Sequence, residues 1–364
     1  MRKNTIHNIL KTTSVRKAWA VVFVIAGTML TATSCADDDA PSAPLQTVQL
    51  LVSVPAKTLS ASQHRLGDPG TAVPEGADWD CLTVIMAYTD NSQVLKTTIS
   101  KDYFDNLPDY NGNSNIKLLA IDAQPGTVYI YGVTYSKDAA KGPADAINNC
   151  TDNADVQALT ISNDYASANG VVDYAKFVSV ATGYYKGTDG TNTQPAEFTI
   201  QEGGTGAVGT IPTMTLTRLA TKIDVQWDVA DAYDQGYTDI ALEDFIYHGK
   251  AYGRLFPDVT ISNFTAGDPQ DWTFTNTTPI SQRNGRQYHY TFTDGVAISA
   301  GVDRPNITFN ISGNKNENGA TTTVKGSYTL NFKNDFVLQP ATWYKVNATV
   351  RGITTTTNTT ISIF

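Results

Sequence analysis

The segment Thr47–Val54, TVQLLVSV, decides how the rest of the chain is read. Val48, Leu50, Val52 and Val54 recur at every second position. Side chains alternate across a strand, so this spacing predicts a β-strand over 47–54 with one core-facing side. The pattern then stops. Leu59–Asp78, LSASQHRLGDPGTAVPEGAD, is a polar loop broken by Gly67, Pro69, Gly70, Pro74 and Gly76. A strand followed by so long a loop is unusual in a compact domain, where long loops are often functional.

Upstream of the strand, residues 1–34 read as a targeting signal. Lys11, Arg16 and Lys17 form its positive part, and Ala18–Leu30, AWAVVFVIAGTML, is an apolar run of 13 residues. That run is short for a membrane span and gives way to the small residues Ala32, Thr33 and Ser34. An ordinary secretory signal is the plain alternative. Cys35, placed directly after small residues, favours a bacterial lipoprotein signal, in which the cysteine becomes the new N-terminus and carries the lipid. Ala32 stands where such signals more often have leucine. Residues 35–45, acidic at Asp37–Asp39 and then rich in Pro, Ser and Ala, read as a solvated tether. Formal net charge is −9, and the signal removes five basic residues and no acid. An acidic chain is a poor match to phosphate backbones, so nucleic acid is excluded as a partner.

Downstream, strand signals dominate. WDCLTVIMAYTD restarts the pattern at Trp79, and IKLLAIDAQPGTVYIYGVTY, Ile116–Tyr135, predicts two strands joined at Gln124-Pro125-Gly126. Lys141–Leu159 is the best helical stretch, with Pro143 suited to a first turn and Asn148, Asn149 and Asn153 against it. FVSVATGYY, Phe177–Tyr185, reads as a short strand, and the glycine-rich Glu202–Val208 as a domain boundary. Ile211–Val229 predicts one or two long strands. Further strands follow within Asp244–Leu255, Tyr288–Ile298, Ile307–Gly313, Gly326–Phe332 and Trp343–Ile353. The expected fold is all-β: two β-sandwich domains, 46–207 and 208–364, with little helix.

Catalytic chemistry is thin. The four histidines, His7, His64, His248 and His289, make no metal-binding pair. There is no CxxC, no G-x-S-x-G elbow and no glycine-rich phosphate loop ahead of a helix. No enzyme, cofactor or metal is expected. DYNGNSN places Asp109, Asn111 and Asn113 as in a calcium loop, but Ser114 and Ala120 fill the positions of its glycine and glutamate. It and GNKNENG, Gly313–Gly319, read as turns. Tyr184 and Tyr185 suit a sugar-binding face or a plain strand surface. Cys81 and Cys150 could form a disulfide in an exported protein or remain buried thiols.

Four segments together resemble the fimbrillins of Bacteroidales, the subunits of type V pili. They are RLGDPG (Arg65–Gly70), WDCLTVIMAY, MTLTRLATKIDVQ (Met214–Gln226) and LQPATWYKVNATVRGI (Leu338–Ile353). The resemblance implies two transthyretin-like Greek-key sandwiches and a structural role in adhesion and biofilm formation. It implies a palmitoylated Cys35 on the outer membrane, then cutting by an Arg-specific surface protease between Arg65 and Leu66. Loss of the first strand, with Val48, Leu50, Val52 and Val54, would open a groove. A neighbour's C-terminal tail, with Ile361 and Ile363, would fill it and build a head-to-tail fimbrium. Thr355, Thr357 and Thr359 share the face of those isoleucines, so a tip or anchor subunit is the alternative. A surface glycan-binding lipoprotein is the rival from another class.

Overall fold

The computed structural model describes residues 44–55, 79–139, 141–165, 167–168, 171–172, 174–202, 211–261, 267–275, 284–299, 301, 304–353 and 359–363. Contacts divide the chain into Met1–Ser42 and Ala43–Phe364, and the second unit is the folded body described below.

In chain order its first elements are β1 (Gln46–Ser53), β2 (Cys81–Tyr88), β3 (Val94–Ser100), α1 (Lys101–Asn106), β4 (Asp109–Tyr110), β5 (Asn113–Ala123) and β6 (Gly126–Tyr135). Then come α2 (Ala144–Asn149), α3 (Asn153–Gln157), β7 (Thr160–Ser162), β8 (Ser167–Ala168), β9 (Val171–Val172), α4 (Tyr174–Val178), β10 (Ala181–Tyr184) and β11 (Glu197–Ile200). The remainder is β12 (Thr213–Thr215), β13 (Thr217–Arg218), β14 (Thr221–Asp228), α5 (Ala230–Asp234), β15 (Tyr237–Lys250), β16 (Tyr252–Arg254) and β17 (Pro269–Thr275). It closes with β18 (Asn284–Thr291), β19 (Asn306–Glu317), β20 (Ala320–Phe332), β21 (Trp343–Thr349) and β22 (Thr359–Ile363). The chain is all-β, as expected, and every helix is short.

Four sheets carry the fold. The first runs β12-β1-β5-β4, and the second β13-β10-β6-β2-β3 with β11 also on β6. The third is β18-β14-β21 and the fourth β17-β15-β19-β20-β22. The first two enclose one core, where Val48, Leu50 and Val52 meet Leu82, Val84, Met86 and Ile130. The third and fourth enclose another, built on Ile223, Val225, Trp227, Phe245, Phe309 and Leu330. A third core covers the far face of the second sheet, where Ile85 and Tyr131 meet Ile147, Val156 and Phe177 from α2, α3 and α4, and Phe256, Tyr290 and Phe292 from later in the chain. Strand β2 is therefore buried on both faces, which accounts for its run CLTVIMAY, apolar but for Thr83.

Three local expectations are sharpened. The Gln124-Pro125-Gly126 turn joins two strands, but β5 lies in the first sheet and β6 in the second, so it crosses between layers. Gly126 is needed there, since φ is +149° and a Cβ would stand 3.0 Å from the Tyr88 ring. The stretch Ile211–Val229 is not one or two long strands. It breaks into β12, β13 and β14, which join three different sheets. The helical stretch is cut in two, because Asp152 caps α3 by accepting from the Asp155 amide and so stops α2 from continuing. Both Asn-rich stretches form turns. Asn111 and Gly112 have φ of 52° and 75°, and Asn318 and Gly319 have 54° and 81°.

Candidate assembly site: the first strand and the tail

Strand β1 is an interior strand. It runs antiparallel to β5, with Leu50 opposite Leu119, and parallel to β12, with Val52 opposite Met214. Its C-terminal half is fastened too: Leu51 N–H donates to the Pro212 carbonyl at 2.9 Å, and Val54 N–H donates to the Asn115 carbonyl at 2.9 Å. In return Leu216 N–H donates to the Ser53 carbonyl at 2.8 Å. Val48, Leu50, Val52 and Val54 are 1%, 0%, 0% and 7% exposed. Burying each contributes about 1.5–3 kcal/mol, so the four together approach the whole stability margin of an ordinary domain, about 5–15 kcal/mol. The slot they fill is walled by Leu119, Ile121 and Met214 and floored by Leu82, Val84 and Met86.

Leu45, just before β1, is exposed, and the described chain resumes at the buried Trp79, whose ring meets Phe104 edge-on at 5.6 Å. Cys35, Arg65 and Leu66 lie outside the described residues.

The tail strand β22 is docked in its own molecule, parallel to β20 at the outer edge of the fourth sheet. Ile361 and Ile363 stand at the register positions opposite Leu330 and Phe332, which are 4% and 0% exposed. The first strand and the tail therefore belong to different sheets.

Cys81 and Cys150 are free thiols in this structure, the second of the two readings left open by the sequence. The Cys150 Sγ turns back onto α2 and donates to the Ala146 carbonyl at 3.4 Å. Burial pushes its thiol up to about 11 and also raises that of Cys81. Deprotonation of either is thereby disfavoured.

Several buried polar groups escape sequence reading. Asn163 and Arg254 are almost fully buried, and Arg254 donates through Nη2 to the Val259 carbonyl at 2.7 Å. Asp224, fully buried, accepts from Arg286 Nε and Nη2 at 2.7 and 2.6 Å and from Trp343 Nε1 at 2.8 Å. Beside it the Lys222 ammonium lies 4.5 Å from the Tyr288 ring and 5.1 Å from that of Trp343. The available signal was the alternation of Lys222, Asp224 and Gln226 with Ile223, Val225 and Trp227. His248 lies in β15 with Nδ1 2.6 Å from Asp271 Oδ1 on the neighbouring strand, a cross-strand pair.

No family model matches the chain, and no curated protein matches it significantly. Solved structures do. A candidate cell-adhesion protein from Parabacteroides distasonis aligns with a TM-score of 0.51 at 12% identity, over 86% of this chain and 94% of its own. That likeness establishes a shared fold. A second from the same organism gives 0.49 at 13% identity, covering 83% and 88%. The tip fimbrial protein Mfa3 from Porphyromonas gingivalis, with C-terminal truncation, gives 0.36 at 10% identity, covering 77% and 81%.

Proposed function

We propose that the chain is a surface adhesion protein of the fimbrillin type, a structural and non-catalytic subunit that assembles with other pilus subunits. The observation that supports this best is the place of β1. An apolar strand sits between two hydrogen-bonding neighbours and is followed by the Arg65 loop. Once that loop is cut, only non-covalent contacts hold the strand. Its departure leaves two unpaired ladder edges and an apolar slot, the template that strand addition requires.

In this reading Cys35 carries the lipid, Arg65–Leu66 is the cut, and a neighbour's tail around Ile361 and Ile363 fills the slot. The halves 46–207 and 208–364 act as two transthyretin-like sandwiches. A second reading, a tip or anchor subunit, draws on the tail, which is threonine-rich and already docked on β20. The deciding measurement is the N-terminal residue of the surface-exposed protein. Leu66 is expected for a matured polymerising subunit. Cys35 would mean an anchor or an unprocessed precursor instead. Fatty-acid labelling that survives Cys35→Ala would remove the lipid from the scheme.

A further inference from the structure

Beyond the end of β15 the chain encloses a cleft of about 370 Å³. It is lined by Tyr247 and Lys250 of β15 and by residues between Thr291, the last of β18, and Ser299. A tight turn fixes that run: Thr293 Oγ1 accepts from the Gly295 amide and Asp294 Oδ1 from the Val296 amide, both at 3.0 Å. Gly295 has φ +73°, and a Cβ there would stand 2.7 Å from the Pro257 carbonyl, so the turn has little freedom. Asp294 and Lys250 both line the cleft. Ile298 and Leu338 supply buried apolar lining.

The mouth is apolar and exposed. Among the described residues four large hydrophobic side chains are exposed, and two of them are here. Val296, 52% exposed, lines the cleft. Tyr252, 43% exposed, lies with its ring against the cleft residue Gly267, where a Cβ would come within 2.8 Å.

This combination selects a ligand class. With Asp294 and Lys250 both in its lining, the cleft holds opposite charges; burial raises the Asp294 carboxyl, and Lys250 and Arg254 partly offset that. An anion would meet Asp294 in a chain of net charge −9, and a cation would meet Lys250. A purely apolar ligand would offer these charged groups no hydrogen bond. A neutral ring bearing hydroxyls satisfies all three constraints. Its hydroxyls donate to a carboxylate and accept from an ammonium, and its C–H face lies on aliphatic or aromatic carbon. The volume sits at the small end of the range for small-molecule clefts, about 300–1,000 Å³. We infer that this cleft binds a terminal neutral sugar, with Asp294 as acceptor, Lys250 as donor and Tyr252 as the stacking ring at the mouth. The site uses no residue of β1 or the tail and stands whether or not the chain polymerises.

The test is saturation-transfer NMR on the full exported chain with the methyl glycosides of glucose, galactose, mannose and N-acetylglucosamine, and with glucuronate as a charged control. At least one neutral glycoside should receive saturation, with its weakest transfer at the atoms farthest from the C–H face. Asp294→Asn should weaken that sugar about tenfold, the loss expected when a buried acceptor is impaired. Val296→Arg changes an exposed residue at the mouth, so it should leave Tm unchanged and still abolish transfer. It decides the matter should Asp294→Asn fail to fold. No transfer to any neutral glycoside, equal binding of glucuronate, or binding indifferent to Val296→Arg would overturn the inference.

Discussion

Asn163 joins the two halves of the chain with a single side chain. Its Nδ2 donates to the carbonyls of Lys250 at 2.7 Å and Phe292 at 3.2 Å. Its Oδ1 accepts from the Phe292 amide and from Thr291 Oγ1. That fills the four-bond capacity of an amide side chain at a site 1% exposed. Asn163→Ala should lower stability by about 3 kcal/mol, because buried backbone groups at Lys250 and Phe292 lose their partners. The denaturant midpoint should fall with the slope unchanged. Asn163→Asp should cost a similar amount, since it removes both donors. Nothing in the loop-like sequence around TISNDY announces this role: an Asn between turn residues reads as a turn, and its partners lie about a hundred positions away. His289 makes the other residue-scale case. It stacks on Tyr247 at 4.4 Å and lies 5.5 Å from Trp272, and burial pushes its pKa down to about 3. The unfolded imidazole takes a proton near pH 6.5 and the folded one does not. Stability is therefore retained above pH 6.5 and lost as pH falls from 6.5 towards 3. His289→Phe should flatten the fall of Tm between pH 6.5 and 4 relative to the unsubstituted protein. Equal slopes would mean that other groups govern acid sensitivity.

Among the elements, β1 was the most legible, because period-two spacing is the direct image of a half-buried strand. Its inward face is the one expected, Val48, Leu50, Val52 and Val54. What the spacing could not carry was its partners. A strand's register belongs to its neighbours, and here one of them, β12, comes from more than 150 positions later. The same limit explains Ile211–Val229. Its apolar pattern is continuous, but the chain steps between sheets at Leu216 and again after Arg218. The close approach of Gly183 to this stretch, where a Cβ would stand 2.2 Å from the Thr215 carbonyl, is a long-range constraint that no local pattern records. Leu50 tests the element. Leu50→Ala should cost about 2–5 kcal/mol in the intact chain. Once the loop after β1 is cut, the same substitution should speed release of the β1 fragment, read by mass spectrometry of the retained fragment. A fragment that leaves no faster would mean the strand is held mainly by its main-chain ladder and not by the Leu50 contact.

At the scale of the molecule, the separation of slot and tail has a geometric consequence. The slot lies in the first sheet and the tail in the fourth, so a tail that reaches the slot of another copy makes a contact between unlike surfaces. Repeated from copy to copy, a contact between unlike surfaces extends an open chain of subunits wherever its rotation does not close a ring. In the proposed exchange the tail would first have to leave β20, where a parallel ladder of five residues at a sheet edge holds it. The slot offers more, because it is bordered by β5 on one side and β12 on the other and lined by a closed core. The balance should therefore favour the unexchanged tail while β1 is in place and favour exchange once it is gone. Cleaved protein should form ladders that resist SDS, and uncleaved protein should not. Deleting Thr355–Phe364 should abolish the ladders while leaving the cooperative unfolding of the body in place, since the deletion keeps every core residue described for the third and fourth sheets, Ile353 included. Ladders that persist after the deletion would show that some other strand fills the slot.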